Sequence, residues 1–252
     1  MNRQKELYYH YGGIIARFGN RIITGIAIVL VFTMMIYGCY SIYNSWQIFQ
    51  GAYLNNDIAK LKPTENNLSL EELQKINSDV IGWITIDDTN IDYPFVQGKD
   101  NMEYINKDIY GDFALSGSIF MDYRNSKDIS DHYHLLYGHH MSYSAMFGDI
   151  EEFNDDDFLN KHHSGILITE GKKFKIELFA FVICFATDEK YFDVRPMNQT
   201  EFCAKLDEIK KDAKTYRSIK LNGNDQIIAL STCFDTHTNG RMILFGKLIR
   251  ES

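Results

Sequence analysis

The run of residues 22–43 constrains this chain most, because none of its 22 residues carries a charge. A helix of this length, rising about 1.5 Å per residue, crosses the roughly 30 Å hydrocarbon core of a bilayer. Four basic residues and one acidic residue precede the run: Arg3, Lys5, Arg17, Arg21 and Glu6. This positive excess predicts a cytoplasmic amino terminus, a single membrane pass and an extracellular remainder.

A cleaved signal peptide is the competing interpretation of the same run. The apolar core of a signal peptide is usually only about 7 to 15 residues long. The sequence Tyr37-Gly-Cys-Tyr-Ser is also a poor small-residue cleavage site. We therefore expect an uncleaved anchor, with residues 1–21 in the cytoplasm, 22–43 in the membrane, 44–67 as a linker and 68–252 as one extracellular domain.

The charge balance beyond the anchor limits the possible partners. That part holds 22 Lys and Arg against 33 Asp and Glu. A net negative charge disfavours contact with phosphate backbones, so a nucleic-acid partner is not expected.

Three cysteines lie beyond the anchor, at positions 184, 203 and 233, an odd number without short repeated spacing. This pattern does not predict a disulfide framework. Cys184 lies in an apolar run and Cys203 in a predicted helix, which favours two small buried side chains. A disulfide between them stays open and would leave Cys233 free.

Eight short apolar or alternating runs, separated by Asp, Asn, Gly and Ser, predict strands. The sequence places them at residues 84–86, 91–96, 117–123, 133–137, 165–169, 173–183, 226–231 and 242–249. So many short strands suggest a closed barrel or a sandwich, which leaves few free edges.

Three helical segments are predicted around these strands. The first begins at a capping box, Ser69-Leu-Glu-Glu72, and the second covers residues 144–153. The third covers residues 200–216 and repeats apolar side chains at helical spacing. Its apolar face consists of Phe202, Leu206, Ile209 and Ala213.

The segment Leu230-Ser-Thr-Cys233 ends an apolar run, where a strand delivers a side chain to the rim of a sheet. Arg241 follows eight residues later, and Tyr137-Gly-His-His140 lies upstream. A thiol with an imidazole and a guanidinium indicates a nucleophile with its helpers. His140 is an alternative to His139, because consecutive strand residues point to opposite faces.

Metal chemistry is the weaker interpretation of the polar clusters. His132 and His134 alternate near His139 and His140, but no carboxylate or cysteine lies at a ligand spacing beside them. A solvated strand is expected there, and no metal site is predicted. The acidic residues 151, 152, 155, 156 and 157 lack the spacing of a calcium loop and predict a charged helix end.

Taken together, Tyr-Gly-His-His-Met, Leu-Ser-Thr-Cys and the trailing arginine resemble a sortase, a membrane-anchored cysteine transpeptidase of Gram-positive bacteria. The resemblance covers about residues 68 to 249. Two further stretches, 90–98 and 116–125, and the long helix before the cysteine strand resemble the class B branch. The resemblance implies a mainly β fold, a closed eight-stranded β-barrel with an N-terminal helical segment.

The resemblance also implies roles for matching residues. Cys233 would attack a threonine carbonyl and form a thioester, His139 would act as general acid and base, and Arg241 would hold the oxyanion. No cofactor is implied. By resemblance, the groove for the substrate is lined by Asn101, Ile105, Tyr137, Thr187, Tyr191, Phe192 and Ser231.

The implied reaction joins a surface protein to the cell wall. The enzyme would cleave a carboxy-terminal Pro-X-Thr-type sorting signal (NPxT-like or related) after Thr and transfer the protein to an amine of a lipid-linked peptidoglycan precursor. Residues 234–240, a short segment that carries His237, depart from some class B relatives. That departure affects the contacts expected between this segment and the substrate.

Two alternatives are considered beside the transpeptidase. A membrane-anchored thiol peptidase that only hydrolyses would use the same residues and differ in the final acceptor. A membrane-tethered barrel that only binds would have no need of Cys233, His139 and Arg241 together.

Overall fold

The computed structural model describes residues 2–64, 66–233 and 239–251 of the chain. It divides into two compact units, residues 1–47 and 48–252. The compact second unit therefore begins within the segment that the sequence assigns to a linker. The described part contains six α-helices, one 3-10 helix and nine strands.

The helices are α1 (Asn2–Ala52), α2 (Asn56–Ala59), α3 (Glu71–Ile76), the 3-10 helix (Gly148–Asn154), α4 (Asp156–Lys161), α5 (Glu189–Phe192) and α6 (Gln199–Asp212). The strands are β1 (Val80–Ile86), β2 (Asp92–Val96), β3 (Ile119–Met121), β4 (Tyr133–Tyr137), β5 (Ser164–Thr169), β6 (Lys172–Phe185), β7 (Thr215–Tyr216), β8 (Gln226–Cys233) and β9 (Gly240–Arg250).

Helix α1 contains the predicted anchor. Its segment His10–Trp46 is long and apolar enough to cross a membrane, and it contains an 18-residue window with a mean hydropathy of 2.3. The apolar side chains of this segment are exposed, as Ile28 and Val31 illustrate. A helix that is apolar on all sides has a lower free energy in hydrocarbon than in water, which fits membrane association.

Eight strands form a closed barrel in the second unit. The hydrogen-bonded order is β5-β1-β2-β3-β4-β8-β9-β6, and β6 pairs back onto β5 to close the ring. The short strand β7 adds to β6 at residues 180 and 181. The eight predicted strands correspond to these eight barrel strands, so the predicted closed barrel is confirmed. Closure leaves no free edge among them.

Alternating side chains along the strands separate an interior core from two outer ones. In β8, Ile228 and Leu230 belong to the interior cluster, whereas Ile227 and Ala229 face the cluster under α6. A third cluster packs α2 and α3 against β1 and β3 through residues such as Ile58 and Trp83. This period of two is what a pleated strand requires when both of its faces are covered.

The predicted apolar face of α6 is confirmed, because Phe202, Leu206 and Ile209 are buried against the barrel. The helix is shorter than predicted, since it ends at Asp212 and residues 215–216 pair with β6. A true capping box starts it: Asn198 accepts from the Glu201 amide, and the Glu201 carboxylate accepts from the Asn198 amide.

Two other helix predictions need correction. The helix predicted at residues 144–153 is a 3-10 helix over Gly148–Asn154, preceded by a loop. Helix α3 starts at Glu71, and its N-cap is Leu70 rather than Ser69. The Ser69 hydroxyl accepts the Glu71 amide instead, so a short polar turn replaces the expected capping box.

The cysteine and histidine predictions are confirmed only in part. Cys184 and Cys203 are both free, and Cys184 is buried as predicted, but Cys203 is exposed on α6. The prediction of a solvated strand is wrong at His134, because this side chain is fully buried in β4. His132 is half-buried, stacks on the Phe202 ring and contacts the Asp225 carbonyl. In the acidic group, Asp155 caps α4 by accepting the Phe158 amide, as expected of a charged helix end.

Candidate active site

The strand directions bring three predicted catalytic positions to one rim of the barrel. Strands β4 and β8 are parallel neighbours, with Tyr137 opposite Ser231, so their carboxyl ends lie together. Strand β9 runs antiparallel to β8, and its second residue, Arg241, is paired with the backbone of Cys233. His139 follows β4 by two residues. The strand order therefore places His139 and Arg241 at the same rim, although about 100 residues separate them in the sequence.

A cleft of about 120 Å³ lies at this rim. Five of its lining residues belong to the predicted site: His139, Arg241, Ile105, Tyr137 and Ser231. Phe120, Gly138 and Thr232 are the other lining residues in the described part of the chain. The Cys233 side chain lies outside the described part of the chain, as do residues 234–238, which include His237. The described walls of the cleft are therefore those that carry His139 and Arg241.

Tight packing fixes the backbone that carries His139. A Cβ atom on Gly138 would lie 2.5 Å from Ile119 Cδ1 and 2.8 Å from the Phe147 ring. Both neighbours are buried, and the Phe147 amide donates to the His139 carbonyl at 3.1 Å. Only glycine allows this approach of the β4 terminus to the Phe147 ring.

The His139 ring is oriented by a backbone carbonyl. Nε2 lies 2.8 Å from the Ile105 carbonyl oxygen. A carbonyl oxygen only accepts, so Nε2 carries the proton of this hydrogen bond and Nδ1 is the basic nitrogen. The Ile105 carbonyl is held close by Gly117, where a Cβ would lie 2.3 Å from that oxygen and where φ is +58°. Glycine is thus needed at position 117 for space and for conformation.

His140 has a different environment. Its Nε2 lies 3.1 Å from a carboxylate oxygen of Glu151, and its backbone forms an isolated bridge to Met146. The cleft-lining residues include His139 and not His140. The structure therefore separates the two adjacent histidines by location.

Arg241 is half-buried between two cysteine-bearing strands. Its backbone pairs with Cys233 on β8 and with Cys184 on β6. Burial raises the pKa of the Cys184 thiol to about 12, and Asp188 adds to this effect. Cys184 consequently stays protonated and unreactive at neutral pH, although its strand, β6, pairs with the strand that carries Arg241.

A buried carboxylate holds the tyrosine wall of the cleft. The Tyr137 hydroxyl donates to Asp122 at 3.0 Å, and the Tyr137 ring packs on Phe120 with centroids 5.2 Å apart. Asp122 also accepts from Asn101 at 2.8 Å and from Arg124 through two 2.8 Å bonds. Burial alone would raise the pKa of Asp122, but the hydrogen bonds from Arg124 and Asn101 outweigh it and lower that pKa.

Two cations fasten the loop that follows β6. Arg124 donates to the Phe192 carbonyl at 2.7 Å. Lys205 on α6 donates to the Lys190 and Asp193 carbonyls and lies 3.9 Å from the Tyr133 ring centroid. Burial lowers the pKa of Lys205 to about 8. These contacts attach α5 to the Asp122 network and to α6.

The predicted substrate residues fall into two groups. Ile105, Tyr137 and Ser231 line the cleft. Asn101 lies behind Tyr137 as a ligand of Asp122, and Thr187 is exposed at the end of β6. Tyr191 is buried beside Phe245, which makes it a core residue in this structure, and Phe192 lines a separate depression with Arg124. The structure therefore does not bring the second group to the cleft.

Several residues of the site were not predicted from the sequence. Thr232 has a buried hydroxyl that finds no hydrogen-bond partner within the described residues. Asp122 and Arg124 lie in the segment 116–125. Two charged residues directly after an apolar strand were the sequence signal that could have identified them. Phe120 gave no such signal, because an apolar strand residue is equally expected in a core.

Comparison with known proteins agrees with this fold. The model of the Sortase domain matches residues 84–249. Sortase B of Listeria monocytogenes is 34% identical over 236 residues, which cover 86% of this chain and 95% of that protein.

Solved structures give the same result. The Staphylococcus aureus sortase B-substrate complex has a TM-score of 0.68 and 32% identity, and the match covers 73% of this chain and 85% of that chain. A Streptococcus pyogenes class B sortase involved in pilus biogenesis has a TM-score of 0.65 and 41% identity, covering 72% of this chain and 98% of that chain.

These similarities define the class of the protein as a cysteine transpeptidase built on a closed β-barrel. The chain belongs to the sortase family. The relatives named above are class B sortases, which confirms the family and branch indicated by the sequence.

Proposed function

We propose that this sortase uses Cys233 as nucleophile, His139 as general acid and base, and Arg241 as the oxyanion ligand. The observation that carries the proposal is the meeting of β4, β8 and β9 at one rim, where His139 and Arg241 line a single cleft. The end of β8 lies between them in the sheet order. A thiol delivered there has an acid and a permanent cation as neighbours.

The reaction proceeds in two balanced steps. The Cys233 thiolate attacks the threonine carbonyl carbon, a C–S bond forms, the scissile C–N bond breaks, and protonated His139 gives its proton to the leaving amine. An incoming amine then attacks the thioester carbonyl, the C–S bond breaks, and His139 takes the proton from the amine nitrogen. The enzyme regains its thiolate and imidazolium forms.

The orientation of His139 supports its role. Because the Ile105 carbonyl occupies Nε2, the other nitrogen is available for proton transfer. Arg241 suits the oxyanion because a guanidinium stays charged and donates through a rigid fork. We expect Arg241→Lys, which keeps the charge and loses the fork, to lower kcat by about 100-fold.

The proposed substrate is a surface protein with a carboxy-terminal Pro-X-Thr-type sorting signal. The solved Staphylococcus aureus relative holds a substrate, which supports a peptide ligand for this fold. The cleft presents aromatic and aliphatic walls, Phe120, Tyr137 and Ile105, that suit a proline and its apolar neighbours. Ser231 also lines this cleft, and its buried hydroxyl finds no hydrogen-bond partner within the described residues.

The proposed acceptor is an amine of a lipid-linked peptidoglycan precursor. Attachment through residues 22–43, with residues 1–21 in the cytoplasm and the domain 68–252 outside, puts the enzyme beside a lipid-linked amine. One relative is named for pilus biogenesis, so the acceptor panel should include a lysine side-chain amine as well as glycine amines.

The test uses the full chain in detergent micelles with fluorescent Pro-X-Thr peptides, an added amine and mass analysis of the products. We expect cleavage after Thr and joining of the amine, both lost in Cys233→Ala and His139→Ala. His140→Ala is the matched control and retains activity within a few fold. Cleavage that persists in Cys233→Ala would refute the proposal.

The alternative functions give different products in the same experiment. A thiol peptidase yields only the free acid at every amine concentration. A binding module retains the peptide uncleaved, and its affinity is the same with and without Cys233.

The paired roles also predict a pH profile. Since one step needs a thiolate and a protonated imidazole, transfer should rise and then fall with pH, giving a bell-shaped curve of kcat/KM. The measurement is initial transfer rate between pH 5 and pH 10. A flat profile between pH 6 and pH 9 would contradict the paired roles.

A further inference from the structure

The loop after His140 has an unusual backbone. Tyr143, Ser144 and Met146 have φ values of 58°, 62° and 54°, in the left-handed region. Non-glycine residues reach this region at a cost in free energy, so surrounding contacts must hold the loop in place. The loop ends at Phe147, whose amide donates to the His139 carbonyl.

Tyr93 supplies the buried contact. Its hydroxyl accepts from the Met146 amide at 3.0 Å and donates to the Ala52 carbonyl at 3.2 Å. The side chain is only 6% exposed, so the two bonds are shielded from water. Tyr93 therefore connects the strained loop to the last residue of α1.

Tyr53 supplies a second contact at the surface. Its hydroxyl donates to the Tyr143 carbonyl at 3.0 Å, so residues 52 and 53 both reach the loop. Space is restricted on the other side of the loop, because a Cβ on Gly148 would lie 2.4 Å from the Met141 carbonyl oxygen. The loop is thus fixed between the barrel and the segment that follows the anchor.

We propose that Tyr93, assisted by Tyr53, is a positioning residue for His139. The connection runs from Ala52 through the Tyr93 hydroxyl to Met146, and from Phe147 to the His139 carbonyl. The segment at residues 52–53 is then part of the catalytic unit rather than a passive linker. This inference rests on the proposed role of His139 as acid and base.

The test compares Tyr93→Phe with the parent in the full chain in detergent micelles. The substitution keeps the ring and removes both hydrogen bonds. We expect kcat for peptide cleavage to fall about tenfold, because a displaced general acid slows the chemical step, while KM changes less than twofold. Tyr110→Phe is the matched control, since Tyr110 lines the same neighbouring cavity as Tyr93, and its kcat should stay within twofold.

Two readouts are independent of turnover. The ring-proton NMR signal of His139, assigned by its loss in His139→Gln, should shift in Tyr93→Phe and stay in place in Tyr110→Phe. Chymotrypsin should cleave after the exposed Tyr143 faster in Tyr93→Phe than in the parent.

The outcomes separate this inference from the proposed function. Loss of kcat with a shifted His139 signal, in a variant that stays folded at the assay temperature, supports positioning. An unchanged kcat, or an unchanged signal and cleavage rate, overturns it. If the parent does not cleave any peptide, the proposed function fails, and the NMR and proteolysis results still decide whether Tyr93 orients His139. If Tyr93→Phe does not fold, Tyr53→Phe takes its place, with a smaller fall in kcat expected.

Discussion

At the scale of single residues, Asp122 shows how burial and charge combine behind the cleft. Its carboxylate is fully buried and accepts from Arg124, Asn101 and Tyr137. Desolvation of the carboxylate opposes burial, and three donors compensate for it. The residue therefore supports the cleft wall from behind.

Removal of this carboxylate should cost stability. Asp122→Ala leaves three donors without their acceptor, and we expect the free energy of unfolding to fall by about 3 kcal/mol. Urea denaturation measures this change. Asp57→Ala removes an exposed carboxylate that faces Lys60 and should change stability by less than about 0.5 kcal/mol. Equal effects of the two substitutions would contradict the argument.

His134 predicts how stability depends on pH. Burial lowers the pKa of His134 from 6.5 to about 4. Between these pH values the unfolded chain binds a proton that the folded chain does not. The contribution of His134 to the free energy of unfolding is therefore complete above pH 6.5 and is lost as the pH falls towards 4. The loss should amount to roughly 3 kcal/mol.

The check is the free energy of unfolding of the parent and of His134→Leu between pH 4 and pH 7. The variant should show a shallower slope than the parent. His163→Gln changes a histidine outside the core and should keep the slope of the parent. The idea fails if His134→Leu and the parent have parallel curves.

At the scale of elements, the end of β4 depends on one small residue. Gly138 allows the strand to pass against Phe147 before it presents His139. The neighbouring loop at 186–193 depends on two cations, because Arg124 and Lys205 donate to three of its carbonyls. Both elements are thus placed by contacts that are distant in sequence.

Gly138→Ala tests the close approach. We expect the added methyl to displace Phe147 or His139, to lower stability by about 1–3 kcal/mol and to reduce kcat/KM at least tenfold. Thermal unfolding and peptide cleavage measure the two effects. Adding Phe147→Leu provides space and should restore part of kcat/KM. A fully active single variant would show that the approach is not required.

At the scale of the whole molecule, the barrel is held together most extensively by β6 and β9. These strands share eleven paired positions, and β9 also pairs with β8 along eight positions. Strand β3 has only three residues. Local stability follows the number of buried contacts and hydrogen bonds around an amide.

Hydrogen exchange should reveal this difference. The amides of β6 and β9 near Phe181 and Leu244 should be the slowest in the barrel, because both strands are paired on two sides there. Exchange of β6 and β9 as fast as that of β3 would rule out this hierarchy.

The sequence by itself determined the long apolar N-terminal helix, the eight barrel strands and the apolar face of α6. These features are encoded locally, in the length of an apolar run and in the period of its apolar residues. An uncharged run of about 20 residues can span the hydrocarbon core, alternation of apolar and polar residues favours a strand, and helical spacing favours a helix. It missed β7 because residues 215–216 continue the periodic pattern of α6. It indicated His139, Cys233 and Arg241 as chemically suited side chains.

Only the tertiary structure decided which residues share the rim. Parallel pairing of β4 with β8 brings His139 to the strand end of Cys233, and antiparallel pairing brings Arg241. Burial separated Tyr191, a core residue, from Tyr137, a wall of the cleft. The contacts of Asp122 with Tyr137 and of Tyr93 with Met146 join positions 15 and 53 residues apart. Such contacts depend on how the strands pair and where loops return, and neither is encoded in a local pattern.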